Sequence, residues 1–350
     1  MNTIKFNYKT TLPKEANAPS VTITGDVDMI YTVHFNILKD NALRRIKTMK
    51  CQTNQTIYSG INQWYTNWVI EVYNEYGNLV AEDKFDVTDR VVFIKMDAYA
   101  LGDNIAWIPY VEQFRKLRNC TVICSTFFND LFKNIYPNIL FVEPNTNVEN
   151  VYAQYYIGAT KEWDAKYSPV CVDDVPLQYV ASTVLNLPLV ELRPQLEKQL
   201  KDIKYNKKYV CISEFASHEK KHWRYPGGWQ LVVNFLNSIG YDVAVISKEK
   251  TNLINVIDLT GDKPIMERAQ VLRNADFFMG VSSGLSWLSW AVNTHTFLIS
   301  DVTQLNHEFT TNITRICANP DLDSVRYDAN NITHVDTVIS SIKKYLESKN

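Results

Sequence analysis

The chain has few cysteines, and none is spaced as a metal or disulfide motif requires. Its six cysteines are scattered through 350 residues, and no two of them form a C-x-x-C pair. Several lie in apolar runs, as Cys211 does in 209–212. This pattern argues against a zinc site or a disulfide framework. It predicts reduced, mostly buried thiols in a cytoplasmic protein.

The chain also lacks a long apolar run and an excess of charge of either sign. No stretch approaches the roughly 20 apolar residues that span a bilayer, and the first residues lack the apolar core of a signal peptide. The net charge is −2, so no global basic field attracts nucleic acid, although a local basic groove stays open. The length leaves room for two or three domains.

Residues 1–89 are rich in short β-branched and aromatic runs. Turn signals such as Gly25-Asp26 separate these runs, a pattern that predicts a β-rich N-terminal domain. The predicted strands cover four segments, 21–24, 30–35, 68–73 and 79–85. This domain is either an acceptor-binding module or a structural cap.

From residue 90 onward, apolar strand-like runs alternate with helical patterns. This alternation predicts parallel sheets built from βαβ units. It falls into two series, over 90–200 and 201–350, with a charged helical stretch at 195–201 between them. The predicted fold class is α/β, with two Rossmann-like lobes facing a cleft in which ligands bind at the carboxyl ends of the strands.

One run of small residues stands between a buried strand and a helix. Residues 280–287 read Gly-Val-Ser-Ser-Gly-Leu-Ser-Trp, after the apolar run 275–279 and before a helix that is predicted from Ser286. The unpaired N–H groups and the dipole of a helix start attract anions, and Ser and Gly let a phosphate come close. The alternative is an ordinary tight turn between strand and helix.

A carboxylate follows the first strand of the first lobe. Asp103 stands directly after Gly102, at the start of a predicted helix. At this end of a parallel strand it faces the cleft, where a carboxylate can accept the proton of an attacking hydroxyl. Asp is also a good helix cap, and its position alone favours the cap.

A polar, basic loop opens the second lobe. It runs from Ser213 to Trp229 and carries Lys220, Lys221 and Arg224, which could neutralise a diphosphate or form a solvated surface loop. No D-x-D metal motif stands in the phosphate loop of this lobe. A carboxylate on one lobe, with cations and a helix start on the other, suits metal-independent, inverting transfer of a sugar from a nucleotide diphosphate.

Several motifs run collinearly from about residue 90 to 315. They are Ala100 to Asp103, Ala106 to Val111, Lys221 to Trp223, Pro226, Trp229, Gly261-Asp262, Gly280 to Leu288 and Glu308-Phe309. These segments resemble the lipopolysaccharide ADP-heptose glycosyltransferases and, more closely, the bacterial autotransporter heptosyltransferases. The resemblance implies a GT-B fold and transfer of heptose from an ADP-linked donor onto hydroxyls of an adhesin's repeats.

The resemblance also implies a role for each matching residue. Asp103 would be the general base. The donor-binding residues would be Ser213, Lys221, Glu249, Ile265, Met266, Ser282, Ser283, Gly284 and Leu285. Among these, Lys221 and the segment 283–285 would contact the donor phosphates and Glu249 the ribose, while Ile265 and Met266 would line the adenine pocket.

The chain departs from this family in its C-terminal region. The family carries a late cluster of four cysteines that binds iron and supports a ring-shaped assembly, whereas only Cys317 lies in this region here. A single thiolate cannot build a cysteine-rich iron site. The sequence therefore predicts no bound iron, and it leaves open whether the chain is a homo-oligomer.

The predicted function is transfer of heptose from an ADP-heptose donor onto a hydroxyl of a protein acceptor. One alternative is a nucleic-acid or polysaccharide hydroxyl as the acceptor, with Arg44-Arg45 and the aromatic segment 64–68 as a local platform. The net charge weighs against nucleic acid. A third possibility is a non-catalytic GT-B binding or scaffold protein, against which the presence of both Asp103 and Lys221 argues.

Overall fold

The computed structural model describes residues 2–8, 19–60, 64–96, 98–158, 169–170, 175–196, 208–301, 307–318 and 332–349. Within these ranges no helix is long and apolar enough to cross a bilayer. Most of the helix predicted at 195–201, and the predicted lobe boundary at 200/201, lie outside the described residues. The division into three domains stays a prediction.

Two antiparallel sheets form the N-terminal region. Their strands are β1 (Thr3–Asn7), β2 (Ser20–Thr24), β3 (Ile30–Lys39), β4 (Ala42–Gln52), β5 (Gln55–Tyr58), β6 (Trp68–Tyr73) and β7 (Leu79–Lys84). One sheet has the order β1-β2-β5 and the other β4-β3-β6-β7. The sequence analysis did not predict β1, β4 and β5, whose side chains are largely exposed. In β4 and β5 regular apolar alternation is also absent, whereas in the short strand β1 only Ile4 and Phe6 alternate with polar residues.

The aromatic segment 64–68 contributes to the core of this region. The side chains of Tyr65 and Trp68 are only 6% and 1% exposed, and Tyr65 lies edge-to-face against Phe85 and Phe114. These rings join the N-terminal region to the next layer of the molecule. They are therefore not available as the stacking platform that a nucleic-acid acceptor would use.

The first lobe is a four-stranded parallel sheet with its helices. Its elements are β8 (Val91–Met96), α1 (Leu101–Arg118), β9 (Thr121–Thr126), α2 (Asn129–Phe132), β10 (Ile139–Val142), β11 (Ala153–Tyr156) and α3 (Leu177–Val184). The strand order is β10-β9-β8-β11, and every pair is parallel. Buried β-branched side chains dominate β8, as is typical of a strand covered on both faces. Only β11, with its Gln and Tyr residues, was not predicted.

The second lobe is a six-stranded parallel sheet. Its elements are β12 (Tyr209–Ser213), α4 (Gly228–Ser238), β13 (Asp242–Val245), β14 (Ile257–Asp258), α5 (Ile265–Arg273), β15 (Phe278–Val281), α6 (Gly284–Ala291), β16 (Thr296–Ile299), β17 (Ile313–Ile316) and α7 (Val335–Ser348). The strand order β14-β13-β12-β15-β16-β17 is that of a dinucleotide-binding sheet. The predicted α/β class is observed, and the small-residue run begins inside β15 rather than after it.

Both parallel sheets reverse their strand order beside their first strand. In the first lobe the switch lies between β8 and β11, and in the second it lies between β12 and β15. Ligands of open parallel sheets bind at such switch points, outside the carboxyl ends of the strands. The topology therefore directs attention to the loops after β8, β12 and β15.

The lobes are in direct contact through the starts of α1 and α6. A Cβ added to Gly102 would lie 2.7 Å from Trp287 Cδ1, and one added to Gly284 would lie 2.9 Å from Leu101 Cβ. At the same cleft, the Leu177 N–H donates a hydrogen bond to the His307 carbonyl at 3.2 Å. The two helix starts approach this closely because each contributes a glycine at the contact.

Candidate active site

A cavity of about 310 Å³ lies between the lobes at the carboxyl ends of β8, β12 and β15. It contains eight of the ten residues that the sequence assigned to the site. These are Asp103, Ser213, Lys221, Glu249, Ser282, Ser283, Gly284 and Leu285. Residues more than 170 positions apart are thus brought to one cleft, while their roles stay predictions.

The other two predicted residues lie elsewhere. Ile265 and Met266, at the start of α5, line a second cavity of about 330 Å³. The opposite side of that cavity is formed by the first lobe, including Phe127, Phe128 and Glu143. The structure therefore places the predicted adenine-binding pair outside the cavity that contains Asp103.

Asp103 lies in the first turn of α1, but it does not cap the helix. The N-cap residue is Ala100, and its side chain makes no capping hydrogen bond. Burial raises the pKa of the Asp103 carboxyl to about 6, and the Lys221 ammonium acts in the opposite direction. A carboxyl with a pKa near neutrality in a cleft is suited to general-base work.

A buried amide holds the loop in front of Asp103. The Asn104 Nδ2 donates hydrogen bonds to the carbonyl oxygens of Ala98 and Ala100, at 2.8 and 2.9 Å. Its Oδ1 accepts a hydrogen bond from Thr126 Oγ1 at 2.6 Å. Asn104, which is fully buried, thereby connects the loop after β8 to the end of β9. Sequence reasoning assigned it no role, because nothing in the local pattern shows its long-range partner.

Of the three basic residues in the loop after β12, only Lys221 lines the cavity. Lys220 and Arg224 are exposed to solvent, and Arg224 Nη2 donates to the Glu219 carbonyl at 3.3 Å. His222 has a structural contact, since its Nε2–H donates to the Ala216 carbonyl at 2.9 Å. The loop thus directs one cation into the cleft.

The start of α6 provides unpaired hydrogen-bonding groups. Ser283 is the N-cap, and its N–H donates to Ser286 Oγ at 3.2 Å. The Ser283 hydroxyl is buried and has no hydrogen-bond partner within the described part of the chain. The next N–H groups of the first helical turn have no acceptor inside the helix. Groups of this kind can bind an anion, and Lys221 lines the same cavity.

Several lining residues were not predicted from the sequence. Tyr99, Lys248, Trp287 and His307 all face the same cavity. Lys248 is exposed and lies 3.9 Å from the Asp262 carboxylate. Tyr99 stands four residues before Asp103, in the loop that leads into α1, and Lys248 stands directly before Glu249, so that proximity to a predicted residue was a usable signal for both. No such signal marked His307, which reaches the cleft only through the tertiary fold.

Known proteins share both the sequence and the fold of this chain. Residues 178–316 match the family model of glycosyltransferase family 9 (heptosyltransferase). The autotransporter heptosyltransferase Aah of Escherichia coli is 31% identical over 291 residues, which cover 79% of this chain and 74% of Aah. The chain belongs to the autotransporter heptosyltransferases. It is accordingly a glycosyltransferase, as the sequence predicted.

The fold of the family is seen in TibC of enterotoxigenic E. coli. Its crystal structure, solved in complex with ADP-D-beta-D-heptose, matches with a TM-score of 0.80 and 24% identity over 95% of this chain and 86% of TibC. The predicted GT-B fold is confirmed. The family also includes a relative named as inactive, BimC of Burkholderia thailandensis, which is 29% identical over 74% of this chain and 64% of BimC.

The prediction that the chain binds no iron is contradicted by this comparison, because TibC is described as an iron-containing dodecamer. Counting cysteines was an insufficient criterion, since imidazole and carboxylate groups also bind iron. Among the described residues, no group of three His, Cys, Asp or Glu side chains could hold a metal ion. Burial raises the pKa of the Cys120 thiol to about 11, which disfavours the ligating thiolate. The described residues by themselves thus contain no complete iron site.

Proposed function

We propose that the chain transfers heptose from ADP-heptose onto a hydroxyl of an autotransporter protein, with inversion at the anomeric carbon. The observation that carries this proposal is the placement of Asp103 in one cavity with Lys221 and the start of α6. The names of the relatives and the donor bound to TibC support the choice of donor and acceptor.

On the donor side, the groups that we assign to the leaving diphosphate carry positive charge or positive partial charge. Lys221 contributes an ammonium, and the start of α6 contributes backbone N–H groups and the Ser283 hydroxyl. When the bond between the anomeric carbon and the diphosphate oxygen breaks, negative charge builds on that oxygen. Groups already oriented toward it stabilise this charge without reorganisation.

On the acceptor side, the Asp103 carboxylate takes the proton of the acceptor hydroxyl. The hydroxyl oxygen then forms the new bond to the anomeric carbon, while the electron pair of the old bond leaves with ADP. Asp103 belongs to the first lobe and the proposed phosphate site to the second. Entry of the nucleophile opposite the leaving group accounts for inversion.

The remaining parts of the donor are assigned to the second lobe. We assign the ribose to Glu249 and the adenine to Ile265 and Met266, whose separate cavity is closed by the first lobe. A bound nucleotide would therefore contact both lobes. In this division the first lobe presents the catalytic base to the acceptor and the second lobe binds the donor.

Assembly and location are part of the same proposal. TibC is described as dodecameric, which supports a homo-oligomer for this chain. Cys51, Cys120 and Cys211 are buried, free thiols, and such thiols are typical of the reducing cytoplasm that we propose as the location.

The donor is tested by incubating the purified chain with ADP-, UDP- and GDP-sugars. We expect stabilisation by ADP-heptose alone, amounting to about 2.7 kcal/mol at 100 times its Kd, together with slow release of ADP seen by mass spectrometry. Stabilisation without turnover, even with a co-expressed autotransporter passenger, would group the chain with its inactive relative. Preference for a UDP- or GDP-sugar would refute the assignment of the donor.

Replacement of Lys221 by Gln should weaken ADP binding by about 10- to 100-fold, the usual cost of a lost hydrogen bond to a charged group. It should also move the acidic limb of the pH–rate profile to higher pH, because the ammonium lowers the pKa of Asp103. Isothermal titration and initial rates measure the two effects. Lys220→Gln, an exposed neighbour that does not line the cavity, is the matched control and should change neither.

A further inference from the structure

Two aromatic rings stack on each other beside the cleft: Tyr99 lines the cavity that contains Asp103, and Phe127 lines the separate cavity of Ile265 and Met266. The centroids of Tyr99 and Phe127 are 4.0 Å apart, and the ring planes are 22° from parallel. The Tyr99 side chain is 80% exposed and that of Phe127 is 37% exposed. Apolar ring surface that stays in water forgoes the stabilising free energy that burial in the core would provide. The pair therefore calls for a functional explanation.

The side chain of Asn104 joins the two loops that carry these rings. Asn104 Nδ2 donates to the carbonyl oxygens of Ala98 and Ala100, on either side of Tyr99. Its Oδ1 accepts from the hydroxyl of Thr126, the residue before Phe127. Asn104 is completely buried. The stacked rings thus rest on a fixed support, as a preorganised binding surface requires.

The position of the pair relates it to the acceptor. Tyr99 lines the same cavity as Asp103 and stands four residues before it, in the loop that leads into α1. The proposed phosphate site occupies the second-lobe side, so an acceptor hydroxyl must reach Asp103 along the first-lobe side. Whatever carries that hydroxyl lies beside the exposed face of Tyr99.

The charge of this side limits the kind of acceptor. The first-lobe residues that line the cavity are Tyr99, Ala100, Leu101, Gly102, Asp103 and Leu177. They include one carboxylate and no cation, so a phosphorylated saccharide or a nucleic acid would meet no compensating charge. A neutral polypeptide meets no such penalty, and Tyr is enriched at protein interfaces because its ring offers apolar area and a polar tip.

We infer that the Tyr99–Phe127 pair is the surface on which an uncharged, hydroxyl-bearing segment of the acceptor polypeptide lies during transfer. This inference rests on the proposed function. It adds the chemical class of the acceptor segment, neutral and free of phosphate, and the side from which that segment enters. Tyr99 is then a determinant of acceptor specificity, while Phe127, which also lines the cavity assigned to the adenine, supports the Tyr99 ring by stacking on it.

The test compares Tyr99→Ala and Tyr99→Phe with Tyr76→Ala, a matched control whose side chain is 76% exposed in the distant turn between β6 and β7. The probes are synthetic peptides with one serine or threonine among small uncharged residues, the same peptides flanked by aspartates, and a phosphorylated core oligosaccharide. The KM for each probe and the Kd for ADP are measured separately. Because the Tyr99 side chain is 80% exposed, its replacement should leave the stability of the fold nearly unchanged.

For Tyr99→Ala we expect the KM for neutral peptides to rise about tenfold, as for loss of an interface hot spot, with the Kd for ADP unchanged. Tyr99→Phe keeps the ring and should raise this KM far less than Tyr99→Ala does. Tyr76→Ala should behave as wild type, and aspartate-flanked peptides should be poor substrates of every variant. An unchanged peptide KM, or an equal loss of ADP affinity, would overturn the inference. Transfer to the phosphorylated oligosaccharide alone would overturn it too, while leaving the proposed donor chemistry intact. Failure of the wild-type chain to bind ADP would instead refute the proposed function.

Discussion

Replacing Asp103 by Asn should lower kcat for transfer by roughly 10²- to 10⁴-fold, the usual contribution of a positioned general base. The amide has nearly the same shape but cannot accept the proton of the acceptor hydroxyl. ADP affinity should be kept, because the proposed phosphate contacts belong to the second lobe. Asp28→Asn makes the same change in an exposed turn of the N-terminal region and should leave kcat unaffected.

The pH–rate profile of the wild-type chain should show the titration of the Asp103 carboxyl. Burial places the pKa of Asp103 at about 6, so the carboxylate predominates above that pH and activity should fall as the pH drops below it. The acidic limb should follow a single proton with a midpoint near 6. A limb near pH 4, or one that persists in Asp103→Asn, would show that another group is the base.

Asp103→Asn should also increase the free energy of unfolding at neutral and alkaline pH. The pKa of about 6 in the folded state exceeds the ordinary value of 3.8 for an aspartate, so between these two pH values the native state binds more protons than the unfolded state. Stability is therefore lost as the pH rises through this window, and Asn removes the loss. After allowance for partial exposure we expect a gain of about 1–2 kcal/mol at pH 8 and little gain at pH 3.5, measured by urea denaturation.

Gly102→Ala should weaken the contact between the lobes and, with it, catalysis. The new methyl group would meet Trp287 Cδ1 at 2.7 Å and Cγ at 3.3 Å. Trp287 cannot move aside easily, because it is 3% exposed and packs edge-to-face against Trp290 and Phe309. Overpacking of this kind costs about 1–3 kcal/mol. Because Asp103 is the next residue, kcat should fall as well.

A double-mutant cycle isolates this contact. Trp287→Leu removes the ring atoms that the added methyl group meets, so Gly102→Ala should cost less in that background than in the wild type. We expect a coupling free energy of at least about 0.5 kcal/mol between the two positions. Purely additive losses of unfolding free energy would show that contact with Trp287 is not the reason why a side chain at position 102 is destabilising.

The sequence was most informative where apolar runs are regular. Most strands of the two parallel sheets are apolar runs of the kind from which the α/β class was predicted, as in β8, β9, β12 and β16. Strands such as β4, whose side chains are mostly exposed, and β11, which is rich in Tyr and Gln, carry no such pattern. Their pairing partners, rather than their composition, make them strands.

For the site, local sequence identified candidates but could not choose between their roles. Asp103 has the position of a helix cap, and only the structure shows that Ala100 is the N-cap and that the carboxyl faces Lys221 across the cleft. Lys220 and Lys221 are indistinguishable in sequence, and the short helical turn at Glu219–Lys221 directs only the latter inward. Side-chain direction depends on local backbone geometry that neighbouring residues do not specify alone.

By itself, the sequence determined the α/β class, the succession of strands and helices, and the family to which the chain belongs. These follow from short-range periodicity and from motifs, which are properties of neighbouring residues. Only the tertiary structure decided which side chains meet. Asn104 joins two loops from different strands, Tyr99 stacks on Phe127, and Ile265 and Met266 lie in a separate cavity. Such contacts depend on how the two parallel sheets and their loops pack against each other across the cleft. Local sequence patterns do not encode this packing.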